Sequence, residues 1–196
     1  RALLLAVAGV VWLAGPVCGD EPVPSESTAR YFRELRRRGL FKLAESYCLE
    51  RLSHSGVSTA ERTELTLELA RTLAEHANFA GSAEQDELWA RSDAALSELL
   101  KAEPDNPRRL LLEVQRALLP ATVGHSRRLL AELEPYDAAA GKRAAASLHA
   151  AVQNLREAEA RIVASQRKAP GGRAPSGAAL RLFELRPLLG HVRLRL

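Results

Sequence analysis

From residue 28 onward the chain carries apolar residues at helical spacing. "TARYFRELRRRG", residues 28–39, places Tyr31, Phe32 and Leu35 inward and ends at Gly39. Glycine is the usual stop there because it takes the left-handed conformation without a Cβ penalty. "LFKLAESYCLERL" follows with apolar positions 40, 43, 44, 47, 48 and 52, an i, i+3, i+4, i+7 stripe. The two segments and the glycine between them predict a helical hairpin. Ser58-Thr59-Ala60-Glu61 has the form of a capping box, in which the serine hydroxyl takes the Glu61 amide and the glutamate returns to the Ser58 amide. The helix behind it sets Leu65, Leu69, Leu73 and Ala77 on one face. A second box, Ser82-Ala83-Glu84-Gln85, opens a helix with Leu88, Trp89, Ala95, Leu96, Leu99 and Leu100 inward.

Glu103-Pro104-Asp105-Asn106-Pro107 then stops one helix and starts another. Asn106 suits a cap, and Pro107 suits a first turn, where its missing N–H costs nothing. "PRRLLLEVQRALL" reads as a helix stopped near Pro120, and "SRRLLAELEP" as a shorter one ending at Pro135. Residues 137–168 form a long Ala-rich pattern with Leu148, Ala151, Val152, Leu155 and Ile162 as its stripe. "APGGRAPSG", residues 169–177, is a Gly/Pro linker. The basic, apolar segment 178–196 follows it, and its last residues, "HVRLRL", alternate more like a strand than a helix.

The first residues change the picture of compartment. "RALLLAVAGVVWLAGPVCGDEPVP" has a leading charge, an apolar run from Ala2 to Cys18 and small residues before Asp20. That is the anatomy of a secretory signal peptide, with cleavage expected after Gly19. The run falls short of the about 20 apolar residues that a membrane-spanning helix needs, so cleavage is favoured over a retained anchor. Residues 1–19 are thus a signal, 20–29 a linker and 30–168 the helical domain. The chain is expected to be exported, to the periplasm, cell envelope or exterior. Arg1 and the apolar end "LLGHVRLRL" suggest a piece of a longer reading frame.

Composition supports the helical reading. The chain of 196 residues is 46% hydrophobic but only 5% aromatic. Ala, Leu and Arg dominate, and all three lose little side-chain freedom in a helix. The net charge of +4 is unevenly spread. Residues 161–196 hold eight of the 28 Lys and Arg and one of the 24 Asp and Glu, leaving 20 basic and 23 acidic residues before them. A basic tail of that kind can attract an anionic surface, though a solvated segment is the simpler reading.

Catalytic and metal chemistry find little support. His54, His76, His125, His149 and His191 have no second His or Cys at ligand spacing. There is no phosphate-binding glycine loop, no nucleophile elbow and no Cys-x-x-Cys pair. Glu61/Glu64, Glu157/Glu159 and Asp86/Glu87 read as solvated helix faces. Cys48, the one cysteine after the signal, lies in helical register with Ala44 and Leu52 and reads as a small apolar core residue. Arg33, Arg36 and Arg37 form a basic cluster, read as lying opposite Phe32 and Leu35, that could meet an anionic envelope surface. Trp89 and Tyr31 are candidate contact residues, with burial in the core as the simpler reading. Nothing points to an enzyme, a cofactor or a nucleic-acid partner.

Helical pairs in series invite a search for repeats. "LLKAEPD" at 99–105 and "LLAELEPYD" at 129–137 share an apolar helix end running into Glu-Pro, 31 residues apart. "ALSELLKAEPDNP" resembles the second-helix ending of a tetratricopeptide repeat (TPR). "RRRGLFKLAESYCLERL" resembles such a repeat's hairpin, with Gly39, Leu43, Ala44 and Tyr47 in packing roles. The likeness covers roughly residues 30–135. Leu99 and Ser92 stand where the repeat usually has alanine, and no Trp-x-x-Leu-Gly opening occurs. The resemblance implies an all-α fold of stacked hairpins, a short right-handed solenoid of the bacterial secreted or envelope type. It also implies binding of a protein or peptide partner, in a scaffold role rather than a catalytic one. The alternative is an N-terminal accessory region of a larger envelope enzyme whose catalytic domain lies beyond residue 196.

Overall fold

The computed structural model describes residues 26–133 and 137–168, together with Gly190 and Arg193. The expected signal peptide, the 169–177 linker, His191 and almost all of the 178–196 segment lie outside the described residues, as do Glu134, Pro135 and Tyr136. Six α-helices build the described part, with no strand among these residues: α1 (Glu26–Arg37), α2 (Phe41–Ser53), α3 (Thr59–Ala77), α4 (Ser82–Ala102), α5 (Arg109–Leu133) and α6 (Ala138–Lys168). The described part is all-α, as composition and periodicity predict.

The helices pack in chain order. Each lies against the next, and α3 also touches α1 and α5. The hairpin α1/α2 therefore packs on α3/α4 through α3, and α3/α4 packs on α5/α6 through α5. No backbone approach joins α1 or α2 to α5 or α6, nor α2 to α4, nor α4 to α6. α3 sits in the middle, and its burial records this. Leu65, Leu69, Leu73 and Ala77 are buried as expected, but so are Thr63, Thr66, Leu67, Glu68, Ala70 and Thr72. One apolar cluster joins α1–α4 and takes in Leu119 of α5, a second joins Leu67 and Ala70 to Leu96, Leu99, Leu100 and Leu112, and a third joins α5 to α6.

The joints follow elementary capping chemistry. Gly39 has φ +71°, the Leu40 amide donates to the Leu35 carbonyl at 2.9 Å, and the Gly39 amide donates to Arg36 at 2.9 Å. This paired closure satisfies two of the carbonyls that a helix end leaves free. α1 starts at Glu26, inside the expected 20–29 linker, because nothing after Pro24 breaks a helix. At Asn106 the side-chain oxygen accepts from the Arg108 amide at 2.8 Å. The amide nitrogen of the same side chain donates to the Thr63 hydroxyl at 2.9 Å and the Glu103 carboxylate at 2.7 Å. The predicted cap is there, and it also ties the start of α5 to the first turn of α3.

Three local expectations are overturned. The Ser58 hydroxyl does accept the Glu61 amide at 3.2 Å, but the Glu61 carboxylate pairs with Arg51 instead of closing the box. Ser82 is not a cap: Gly81 takes that position with extended backbone, and Ser82 is the first helical residue. α5 does not stop at Pro120 but runs through it to Leu133. An interior proline removes one backbone bond and costs about 3 kcal/mol. Against that, α6 lies along α5 and buries Val114, Ala117, Leu155, Ala158 and Ile162, and each large side chain so buried is worth about 1.5–3 kcal/mol. Packing wins. Further along, a Cβ on Gly124 would stand 2.8 Å from the Leu148 side chain and 3.0 Å from its backbone nitrogen. Glycine lets the two helices close there.

The continuous α5 also changes how the two Glu-Pro pairs relate. The first follows the second helix of its hairpin, while the other follows the first helix of the next. Their 31-residue spacing therefore does not mark equivalent positions in the stack.

Candidate interaction surfaces

A cleft of about 420 Å³ opens between α4, α5 and α6. Each helix contributes one polar stripe at helical period: Asp93, Ser97 and Lys101 from α4, Arg109, Glu113 and Arg116 from α5, and Asn154, Glu157 and Arg161 from α6. Leu100, Ala117 and Ala158 form part of the lining between them. Arg116 grips Asp93 with both Nε (2.7 Å) and Nη2 (3.2 Å), and this carboxylate raises the guanidinium's pKa further above its ordinary value. Arg161 bridges Glu113 at 3.2 Å and Glu157 at 3.1 Å. Arg109 reaches Glu113 at 2.9 Å and the Pro104 carbonyl at 3.1 Å. Lys101 has no ion-pair partner among the described residues.

The pairs of Arg116 with Asp93 and of Arg161 with Glu157 are about half exposed, so each contributes little, roughly 0–1 kcal/mol, and exchanges readily for an incoming charge. Within the cleft the Ser97 hydroxyl also donates to Asp93 at 3.2 Å, so this carboxylate is shared between Ser97 and Arg116. The arrangement suits recognition of an extended, charged chain.

A smaller cleft of about 320 Å³ lies at the other end of α5, between Asp86, Arg127, Leu130, Asp137 and Arg143. Asp137 caps α6, its carboxylate accepting from the Ala139 and Ala140 amides at 2.9 and 3.0 Å. The Ala140 N–H above all, then Ala139 and Arg143, hold that carboxyl below its ordinary range. Arg127 reaches Asp86 at 2.8 Å and lies 5.6 Å over the Trp89 ring. Trp89 itself is buried, so it belongs to the core rather than to a contact surface.

The third surface is the outer face of the first hairpin. The sequence stripe places Leu40, Leu43 and Tyr47 inward, whereas α2 buries Phe41, Ala44 and Cys48. Leu40, Leu43 and Tyr47 are 43%, 53% and 41% exposed, and Tyr31, also expected inward, is 47% exposed. α2 is apolar on two sides, and only the Phe41 side meets α3. On α1, Phe32 and Leu35 are buried as expected. Tyr31 stands edge-on to Tyr47 at 6.0 Å, and Phe32 lies 5.6 Å behind Tyr47.

The basic cluster of α1 divides. Arg33 and Arg37 are exposed, but Arg36 is turned inward, four residues from Phe32 and thus beside the buried stripe rather than opposite it. Arg36 meets Glu68 of α3 at 2.5 Å and Glu75 at 3.1 Å, and Arg71 meets Glu68 from the other side at 2.7 Å. Arg37 and Arg38 fold back on Glu34, and hydrogen bonds from these two guanidiniums lower the Glu34 pKa to about 2. A three-arginine face for an anionic surface is therefore not assembled.

The remaining candidates are placed as follows. Cys48 is fully buried, and desolvation, with a smaller repulsion from Glu68, pushes its thiol up to about 12. Glu61, Glu64, Asp86, Glu157 and Glu159 all sit in ion pairs, with Arg51, Arg108, Arg127, Arg161 and Arg193 respectively. From the basic tail region, Arg161 and Arg193 are thus engaged with helix carboxylates. His76 stacks on Phe41 at 5.0 Å, and His149 Nδ1 lies 2.9 Å from the Ala145 carbonyl. No cluster of three metal-ligating side chains occurs among the described residues. No described helix is long and apolar enough to cross a membrane.

The α4–α6 cleft was missed in the sequence, although Arg109/Glu113 and Glu157/Arg161 carry its local signal, opposite charges four residues apart. What the spacing leaves out is that three separate stripes converge. Comparison with protein-family models, with curated proteins and with solved structures finds no match for the chain.

Proposed function

We propose that the chain is a non-catalytic interaction or scaffold module, built of TPR-like hairpins and exported to the cell envelope. The observation that carries this reading is the packing in chain order, in which each hairpin packs only on its neighbours. Repeat stacks are built this way because one hairpin cannot bury its apolar face alone, and their extended surfaces serve as binding faces. The cleft between α4, α5 and α6 is the proposed seat of a protein or peptide partner. Its exchangeable ion pairs and the unpaired Lys101 suit a segment carrying carboxylates. Export rests on the signal-like residues 1–19, and the TPR identity on the sequence resemblance.

The test is a paired capture from envelope extracts with the natural chain and with a Lys101→Glu/Arg116→Glu variant as bait. Proteins retained by the first and lost by the second support the cleft as the site. Equal recovery by both baits removes it.

A further inference from the structure

A stack of hairpins normally ends on a polar face, because the terminal unit has no neighbour to cover its apolar side. Among the described residues the first hairpin has no neighbour on its outer side, yet Tyr31, Leu40, Leu43 and Tyr47 all stand about half exposed there. The charges beside this patch have an order of their own. Lys42, Ser46 and Glu50 lie four residues apart, so they form one line along α2 next to Leu43 and Tyr47. All three are exposed, and neither Lys42 nor Glu50 has an ion-pair partner among the described residues.

We propose that this face receives a second copy of the chain, α2 lying antiparallel on the partner's α2 about a two-fold axis at Ser46. Lys42 and Glu50 are equidistant from Ser46, so the rotation sets each lysine against the glutamate of the other copy. The same rotation brings Leu43 of one copy beside Tyr47 of the other, burying the apolar patch on itself. Serine at the axis is small enough to let the helices approach to the roughly 8–10 Å of ordinary helix packing. A parallel arrangement would set lysine against lysine and lay the two helix dipoles side by side in the same sense, which is repulsive, so charge selects the antiparallel one. This self-association is independent of the α4–α6 cleft, which lies at the far side of α3.

The patch is much smaller than the about 20–30 residues a side of a standard interface, so the proposed dimer is a weak one, its constant placed on the order of 100 µM. The experiment is sedimentation equilibrium of the whole chain from about 5 to 500 µM, a range that brackets that constant. The weight-average mass should rise toward twice the monomer, and Leu43→Glu should abolish the rise while leaving the helical circular dichroism unchanged. Lys42→Glu and Glu50→Lys should each weaken association about fivefold or more, and the double variant should restore it. A monomer throughout the range overturns the proposal. So does association that survives Leu43→Glu, or a double variant no better than the singles.

Discussion

Arg36 of α1 and Glu68 of α3 meet at 2.5 Å with side chains only 8% and 3% exposed, the most enclosed charge pair described in the protein. Such a pair gives back little more than its own desolvation, but removing one member strands the other. Glu68 is the harder member to lose, because Arg71 also depends on it. Glu68→Gln is expected to lower stability by about 3–5 kcal/mol in urea denaturation. The double replacement Arg36→Met/Glu68→Leu should recover a large part of that loss. If the double variant is no more stable than Glu68→Gln, the pair is not the source of the effect.

Pro120 sits inside α5 at a cost that packing against α6 outweighs. Pro120→Ala should restore a donor for the Arg116 carbonyl and stabilise the protein by about 1–3 kcal/mol. Thermal denaturation reads this as a higher Tm. A lower Tm would mean that the proline ring itself fills space the alanine cannot.

Two helical glycines make opposite forecasts. A Cβ added at Gly141 would meet nothing within 4 Å, so Gly141→Ala gains helix propensity and should stabilise by up to about 1 kcal/mol. Gly124→Val drives side-chain atoms into Leu148 and should destabilise by about 1–3 kcal/mol despite the same change in chain flexibility. Chemical denaturation of both variants distinguishes close approach from propensity.

Cys48 gives a prediction in pH. Its folded pKa is raised, from an ordinary 9.0 to about 12, so the contribution of the neutral buried thiol is complete below about pH 9. It is lost progressively as pH climbs toward 12, because only the unfolded chain ionises easily there. Urea midpoints should therefore fall between about pH 9 and 11, and Cys48→Ala should flatten that slope. At neutral pH a disulfide reagent should label the thiol only when the protein unfolds.

Much of the fold was legible because helices announce themselves through period and punctuation. Gly39 and the Asn106 cap fall where local chemistry puts them, and the stripes of α3, α4 and α6 are largely the buried ones. The failures share a physical cause, which is that neighbours in space are not written in local sequence. α5 passes through Pro120 because α6 covers it. Tyr31, Leu43 and Tyr47 face outward because, among the described residues, α1 and α2 have a neighbouring hairpin on one side only. Arg36 looks like a surface arginine until Glu68, 32 residues away, is placed beside it. The α4–α6 cleft was hidden for the same reason, its three stripes lying on three helices.

Asn106 has a mechanical consequence. Its one side chain holds the start of α5 to Thr63, and the Thr63 hydroxyl in turn grips the Thr59 carbonyl at 2.8 Å. Load applied to the third hairpin thus has a direct route into the first turn of α3 that bypasses the whole length of α4. One side-chain amide works as a tie-bar between the two hairpins, beside the Arg108–Glu64 pair and the apolar cluster of Leu67, Ala70 and Leu112, and through Glu103 it pins the end of α4 to the same point.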